Sequence, residues 1–414
     1  MILGIMRNQR LNPADLKKFQ DKKLRAIVKH GYDYVQYYHS LFKEVKLKPD
    51  DIKTTEDLKK IPVSKKKDIR DLPLEKTVAT NIDLSNRFRW NTSGTSGVTM
   101  TIYWEKKAML MQYIENYLLQ MNCGNKITDR QVVIGADWIP VHPIQKVGIF
   151  KIKRISPFDK LEIQIKQIQR FDPKAMTAYP SCARELAKEI KDRDIHGIKT
   201  HLVFTGGETL DQYTRKLVED TFEAEIFDSY GANEVGGVST ECVKHSGHHI
   251  WGDSVIVEVL CDGEQASVGE EGEITVTNLT NHAMPFIRYN VEDQGSLIED
   301  QCSCGNSFPL MKISQGRKSD VIHLSDGRVI SALAVYCHLP NISAIKQFQV
   351  VQERLDGFKV KITKDTTFTD KTPEEIKQAL RSLLGDVEID VVAVDNIRKE
   401  KTGKFKQFIS KVQV

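Results

Sequence analysis

The sequence predicts an α/β protein, with a large layered α/β N-terminal domain that includes a β-rich subdomain and a small α+β C-terminal domain behind it. Three observations carry this prediction. Between Gln131 and Ser229 short apolar runs alternate with amphipathic stretches of helical period, the pattern of a layered domain with a largely parallel sheet. From Ile250 the period shortens to that of strands separated by turns such as Cys261-Asp262-Gly263-Glu264 and Gly269-Glu270-Glu271-Gly272. At Gln315-Gly316-Arg317-Lys318-Ser319-Asp320 the composition shifts again, and the remainder of the chain has the size of a small independent domain. The expected domains are therefore 1–316, with the β subdomain at about 250–314, and 317–414.

The N-terminal residues 14–47 are helical in pattern, with Leu16, Phe19, Leu24, Ile27 and Val28 followed by the aromatic run Tyr32, Tyr34, Tyr37, Tyr38 and Phe42, which reads as packing surface. Ser64 is a candidate N-cap for a helix from Lys65 to Leu72. Strands are expected at Arg87–Trp90 and Met100–Trp104, a long amphipathic helix at Lys106–Asn122, and a buried strand at Gln131–Ala136. Then come a helix Leu161–Arg170, a strand Ala175–Tyr179, a helix Ser181–Lys191, a strand Thr200–Thr205, a helix Leu210–Phe222 and a strand Ala224–Ser229. In such a sheet functional loops sit at the carboxyl ends of the strands. The β-rich part offers Ser254–Leu260, Gly272–Asn278, Pro285–Tyr289 and Gly295–Ile298. The last domain offers strands Val321–Leu324, Ile345–Gln352, Gly357–Thr363 and Ile389–Val394, a helix Pro373–Leu384, and the lysine-rich segment Arg398–Lys411.

Composition bounds the function. In 414 residues Lys plus Arg is 60 against Asp plus Glu 56, a formal net charge of +4 spread along the chain, so no basic stripe points to nucleic acid. The longest apolar stretches, such as Val132–Val147, are interrupted by Asp137 or His142 and fall short of the roughly 18 uncharged residues that span a bilayer. Met1–Arg10 lacks a signal-peptide pattern, and the cytoplasm is the expected compartment. Seven cysteines, an odd number in a long chain, suit metal binding better than a disulfide framework.

Between the strands at Arg87–Trp90 and Met100–Trp104 lies Asn91-Thr92-Ser93-Gly94-Thr95-Ser96-Gly97, whose small residues leave backbone N–H groups unshielded toward a polyanion. It is not the nucleotide loop G-x-x-x-x-G-K-[ST], since no Lys follows the second glycine; read alone it is equally an ordinary hairpin loop. Further glycine and carboxylate loops come in order: Gly206-Gly207-Glu208, Ser229-Tyr230-Gly231-Ala232-Asn233-Glu234-Val235, Arg288-Tyr289-Asn290-Val291-Glu292-Asp293, Gly316-Arg317-Lys318-Ser319-Asp320 and Lys401-Thr402-Gly403-Lys404. Cys242, with His245, His248 and His249 close behind, and the later Cys302-x-Cys304 supply three thiolates and an imidazole, the donor set of a closed structural zinc site.

In content and order these loops resemble the adenylate-forming superfamily of acyl-CoA ligases and peptide-synthetase adenylation domains. Within it the chain is most similar to the phenylacetate-CoA ligase branch and its capsular polysaccharide relatives, through Ile61-Pro-Val-Ser-Lys-Lys-Lys-Asp-Ile-Arg70, Ala178-Tyr-Pro-Ser-Cys-Ala183 and Cys302-Ser-Cys-Gly305. The resemblance implies ATP-dependent activation of a small carboxylic acid to an acyl adenylate, then transfer to coenzyme A or another acyl acceptor, a sugar amine or a carrier protein. It implies that Thr92, Ser93, Gly94, Thr95, Ser96 and Gly97 hold the β- and γ-phosphates. Gly206, Gly207 and Glu208 would line the adenine pocket, and Ser229, Tyr230 and Gly231 the adenine and acyl pockets. Glu234 would bind Mg²⁺, and Asp293 and Arg317 the ribose. Lys404, on a mobile C-terminal domain, would bridge the acid and the α-phosphate. It also implies zinc at Cys242, His249, Cys302 and Cys304, with His248 the alternate. No nucleic-acid partner and no membrane insertion are expected, and a homodimer is open. The chain departs from the superfamily pattern in three places: the phosphate loop has no lysine, the usual Thr-Gly before the aspartate is Val291-Glu292, and the hinge after Arg317 reads Lys318-Ser319.

Overall fold

The computed structural model describes residues 2–85, 87–91, 100–135, 148–149, 151–317, 321–332, 335, 339, 344–365, 367–400 and 403–412. The contacts group the chain into two compact units, 1–124 with 229–314, and 125–228 with 315–414. Among the described residues no helix is long and apolar enough to cross a membrane.

The first unit includes the helix Pro13–Tyr34, which Asn12 caps by accepting from the Asp15 N–H, and continues with Gln36–Glu44 after a break at Val35. Their apolar stripe, with Leu24, Ile27, Val28, Tyr38 and Phe42, packs with Ile52, Ile61, Ile256 and Ile287 into one core. The aromatic run is thus mostly packing surface, as its spacing indicates. Ser64 does not cap the next helix. It is fully buried and accepts from the Tyr37 hydroxyl, while its backbone pairs with that of Arg288 and Asn290. The helix runs Lys66–Arg70, and Asp68 closes its start by accepting from the Lys65 N–H.

Strands Phe88–Asn91 and Thr101–Trp104 pair antiparallel with Asn91 opposite Thr101, and the helix Lys106–Asn122 comes next. The β-rich part is antiparallel throughout its described pairings: Glu225–Ala232 with Gly236–Glu241, Gly236–Glu241 with His248–Ile250, Leu310–Arg317 with His248–Ile250, Val255–Cys261 with Gly272–Asn278, and Gly272–Asn278 with Tyr289–Ile298. Two of the expected strands prove to be one: Tyr289–Ile298 is continuous, while Pro285–Arg288 stays outside it. Three further strands, Gly236–Glu241, His248–Ile250 and Leu310–Arg317, have no clear sequence signature, because glycine or polar residues break their apolar alternation.

In the second unit, Gln131–Ile134 pairs in parallel with both Ile152–Ile155 and Ala175–Ala178, and the latter pairs in parallel with Leu202–Gly206. The helices Leu161–Phe171, Pro180–Asp192 and Gln212–Phe222 bury Ile165, Ile168, Leu186, Leu217 and Val218 against Val132, Met176, Val203 and Ile226. Residues from 345 onward add the antiparallel hairpin Ile345–Arg354 with Gly357–Lys364. Glu388–Ala393 and Phe408–Ser410 flank that hairpin in parallel on its two sides. The helix Thr372–Leu384 covers them, and Phe348, Val350, Val360, Ile376, Leu380 and Phe408 belong to a separate core. Strand Glu225–Ala232 and strand Leu310–Arg317 each cross the division between the units.

Candidate active site

In the first unit the expected residues cluster where strand Glu225–Ala232 turns into Gly236–Glu241. Ser229, Tyr230 and Gly231 lie inside the first strand rather than in a loop after it. Gly231 is required there, because a methyl group in its place would sit 2.4 Å from the Gly236 carbonyl oxygen. The turn is anchored by Trp104, whose indole N–H donates to the Asn233 carbonyl at 3.0 Å, and by Asn278, whose amide donates to the Val235 carbonyl at 2.7 Å. Trp104 pairs with Phe88 at one end of the hairpin, and the stems of the Thr92–Gly97 segment, Asn91 and Thr101, are at the other. Thr92, Ser93, Gly94, Thr95, Ser96 and Gly97 themselves lie outside the described residues.

Two carboxylates face this turn. Tyr230 donates its hydroxyl to Asp293 Oδ2 at 2.8 Å. Asp293 sits in the middle of strand Tyr289–Ile298, so its direction is fixed by the strand, not by a loop. Glu234 is buried, accepts from the Tyr289 hydroxyl at 3.3 Å, and has the Lys66 ammonium 3.6 Å from its Oε1. Burial, with Glu234 close by, keeps Tyr289 protonated well above the ordinary phenol range. A buried carboxylate compensated by a single lysine and a neutral hydroxyl suits a divalent cation such as Mg²⁺, which typically takes one or two carboxylates plus substrate phosphates.

The unusual Val291-Glu292 pair has a definite conformation. Glu292 adopts φ +66°, the left-handed region a glycine would take freely. Its N–H donates to Asn290 Oδ1 at 2.7 Å, and Asn290 in turn donates to Glu273 at 2.6 Å. The chain therefore keeps the backbone path that glycine permits, without the glycine.

Also in the first unit, Cys242, His249, Cys302 and Cys304 bring one donor atom each to within 4.8 Å of one another. Cys242 Sγ and Cys302 Sγ are 3.5 Å apart, and Cys304 Sγ lies 3.3 Å from His249 Nε2. A tetrahedral site with metal–sulfur bonds of ~2.3 Å has edges of roughly 3.8 Å, so small adjustments would seat an ion. His249 is buried, which lowers its pKa and holds it neutral, and its Nδ1 is 3.1 Å from the Phe308 carbonyl. That contact places the proton on Nδ1 and leaves Nε2 as the ligand atom. His248, its neighbour on the strand, is not in the group, since successive strand residues point to opposite faces.

In the second unit, Gly206 closes strand Leu202–Gly206, at the carboxyl edge where such sheets place their sites. Gly207 comes next with φ +78°, and a methyl group there would lie 3.2 Å from both Cε and Nζ of Lys404 and 3.2 Å from the Tyr179 ring. Lys404 Nζ stands 5.7 Å over that ring, a cation–π distance. Tyr179 also meets Gly135 and Gly403, where added methyl groups would lie 2.6 Å and 3.8 Å from it. The turn carrying Lys404 is closed by the Gly403 N–H donating to Glu400 O at 2.9 Å and the Glu400 N–H to Lys404 O at 2.8 Å. Glu208 accepts from the Ser181 N–H at 3.0 Å and from the Phe405 N–H at 2.7 Å. Arg317 ends strand Leu310–Arg317, and its side chain lies outside the described residues. Tyr179, Glu185 and Lys399 join the site only in three dimensions. Only Tyr179 has a signal in the sequence, the tripeptide Ala178-Tyr179-Pro180, a strand end running straight into a helix.

The chain matches the CapK C-terminal domain family over residues 322–411. It is similar to phenylacetate-coenzyme A ligase from Thermus thermophilus, 25% identical over 392 residues that cover 87% of this chain and 84% of the relative. The corresponding ligase from Escherichia coli is 27% identical over 76% of this chain and 75% of its own. Protein CapK of Staphylococcus aureus is 21% identical over 77% and 71% respectively. In fold, the chain is similar to a 2-hydroxyisobutyryl-CoA ligase solved in the postadenylation state with an acyl adenylate, with a TM-score of 0.81 at 18% identity over 98% of this chain and 91% of that one.

Proposed function

Because the chain belongs to the adenylate-forming superfamily, in the phenylacetate-CoA ligase branch with its CapK relatives, we propose that it activates a small carboxylic acid with ATP and passes the acyl group to coenzyme A. The observation that supports this best is Lys404, poised against Gly207 at the carboxyl end of a parallel strand by a turn whose backbone is hydrogen-bonded on both sides.

In the first half-reaction a carboxylate oxygen of the acid attacks the α-phosphorus of ATP and pyrophosphate leaves. Negative charge gathers on the phosphate oxygens, and fixed positive groups lower the barrier more than they help the ground state. Lys404 would supply that charge beside the α-phosphate, and Thr92–Gly97 would hold the β- and γ-phosphates through backbone N–H groups. Asp293, oriented by Tyr230, would accept from the ribose hydroxyls, with Arg317 beside it; Gly206 and Gly207 would border the adenine. Glu234 would hold Mg²⁺, which offsets phosphate charge. In the second half-reaction residues 317–414 would rotate as a domain about the segment after Arg317, withdraw Lys404 and admit the thiol. Zinc at Cys242, His249, Cys302 and Cys304 would be structural, since four protein donors leave no open position. The cytoplasm is the compartment proposed.

The CapK similarity favours a second reading, in which the acyl group goes to a sugar amine or a carrier protein in cell-surface polysaccharide synthesis. ATP–pyrophosphate exchange across a panel of acids tests the first half-reaction. No exchange with any acid would leave a nucleotide-binding scaffold. Exchange without thioester formation on adding coenzyme A would select the second reading.

A further inference from the structure

The turn that carries Lys404 is held at both of its ends by a carboxylate. At the far end the Phe405 N–H donates to Glu208 Oε1 at 2.7 Å, while Glu208 Oε2 accepts from the Ser181 N–H, in the first turn of helix Pro180–Asp192. At the near end the Lys399 ammonium donates to Glu185 Oε2 at 2.9 Å, on the same helix, and to the Pro157 carbonyl at 3.2 Å. Both members of the Lys399–Glu185 pair are about nine-tenths buried, with side-chain exposures of 11% and 10%. Glu185 Oε1 is used as well, accepting from the Gln347 amide. Between the ends, Gly403 leaves no room for a side chain, since a methyl group there would lie 2.6 Å from Pro157 Cγ.

We propose that Glu208 and Glu185 are positioning residues that hold Phe405 and Lys399, on the two sides of Lys404, and so set where its ammonium stands; Glu208 acts on the catalytic lysine through the peptide bond after it. The chemistry requires a carboxylate at 208. Both of its oxygens face N–H donors, so a carboxamide could accept from one and would turn its own N–H groups on the other. A clamp made of charge-assisted hydrogen bonds is strong while formed yet buries little apolar surface, which suits a turn that must be released between half-reactions. This assignment rests on Lys404 being the lysine that meets the α-phosphate, and it gives Glu208 a role other than contact with adenine.

The test exploits the clamped bond itself. Lys404–Phe405 is a trypsin site, and its amide is the group Glu208 holds, so cleavage of the full-length chain without ligands reports the opening of the clamp. Glu208→Gln should accelerate cleavage after Lys404 by ~10-fold or more, the loss expected for one charge-assisted bond, with the melting temperature within a few degrees of wild type. Glu185→Gln should do the same to a smaller extent, because the far end stays held. Should Glu208→Gln fold poorly, Glu208→Asp, too short to reach both amides, must show the same site-specific acceleration. Cleavage after Lys404 at the wild-type rate in a folded Glu208 variant would overturn the proposal. A second arm uses pyrophosphate exchange with an acid found active in the panel: if Glu208 works through Lys404, adding Glu208→Gln to Lys404→Ala costs no further rate, whereas additive losses would return Glu208 to nucleotide binding. If Lys404→Ala alone leaves exchange unchanged, the reading of Lys404 fails, and the proteolysis result shows separately whether the clamp exists.

Discussion

The two units hold their candidate site residues in different ways. In the first, Tyr230 and Asp293 sit inside two strands and are joined by a side-chain hydrogen bond, and Cys242, His249, Cys302 and Cys304 gather their donor atoms within 4.8 Å of one another. In the second, Lys404 rides on a turn fastened by contacts between segments far apart in the chain, Glu208 to Phe405 and Glu185 to Lys399. Removing one such contact loosens the turn at one end, whereas a strand that loses one contact keeps its remaining ladder bonds. On the proposed function, the strand-borne residues would stay in place while the turn that carries Lys404 would be released between half-reactions.

Lys404→Ala would break this contrast most severely. Loss of the positive charge should cut adenylate formation by about 10²–10³-fold, the range seen when one electrostatic contact to a developing oxyanion is removed. Thioester formation from supplied acyl adenylate should stay within a few-fold of wild type. Equal losses in both half-reactions, measured by pyrophosphate exchange and thioester release, would show that the lysine serves the fold rather than one step.

The metal group tests the permanence of the other side. Native mass spectrometry should find one zinc per chain, and Cys302→Ser should release it and lower the melting temperature by several degrees, because an ion bound only by the folded state adds its binding free energy to stability. In the metal-free protein burial pushes the Cys242 thiol up to about 12, so binding must displace its proton. His249→Ala should release the ion and His248→Ala should keep it. A chain with no zinc and the same melting curve with and without chelator would reduce the group to a thiol cluster.

Asp293→Ala comes next in size. Losing a charged acceptor from the ribose should weaken ATP binding by about 1.5–3 kcal/mol, and Tyr230→Phe, which removes only the orienting hydroxyl, by about 0.5–1.5 kcal/mol. Titration calorimetry separates them, and an unchanged dissociation constant in Asp293→Ala would place the nucleotide elsewhere.

The same contrast explains which parts of the molecule are legible in the sequence. Most strands and helices of the second unit are readable because they bury apolar runs or stripes, such as Val132–Ile134 or Ile165 with Ile168, whereas Ile152–Ile155, interrupted by Lys153 and Arg154, and Phe408–Ser410, set among lysines, are not. The group of Cys242, His249, Cys302 and Cys304 is readable because Cys302-x-Cys304 is a local spacing that suits a metal's geometry. Strand Tyr289–Ile298 reads as two pieces because Asn290, Glu292, Asp293 and Gln294 interrupt its apolar alternation at the point where the candidate site needs polar groups; a site spoils the pattern that would reveal its own strand. Glu185 and Glu208 are not legible as a pair, because their partners Lys399 and Phe405 lie in a lysine-rich segment that reads as solvated surface. Only the tertiary fold supplies those contacts.

The smallest expected effect concerns Glu292, where the first unit carries backbone strain. A non-glycine residue at φ +66° costs roughly 1–2 kcal/mol relative to a right-handed or extended conformation. The Asn290 side chain offsets part of that by accepting from the Glu292 N–H. Glu292→Gly restores the residue type the conformation prefers but adds freedom to the unfolded chain, a loss of order 0.4–1 kcal/mol. The balance is a stability change of at most about 1 kcal/mol in favour of glycine, a shift of a few degrees or less in the melting temperature. ATP affinity should stay within about twofold, since the strand and Asp293 keep their positions. Asn290→Ala in the wild-type background should destabilise more than in Glu292→Gly, because only the strained residue needs its support. Equal costs of Asn290→Ala in the two backgrounds, read from denaturant melts, would show that Asn290 serves its bond to Glu273 and that residue 292 holds its conformation without help.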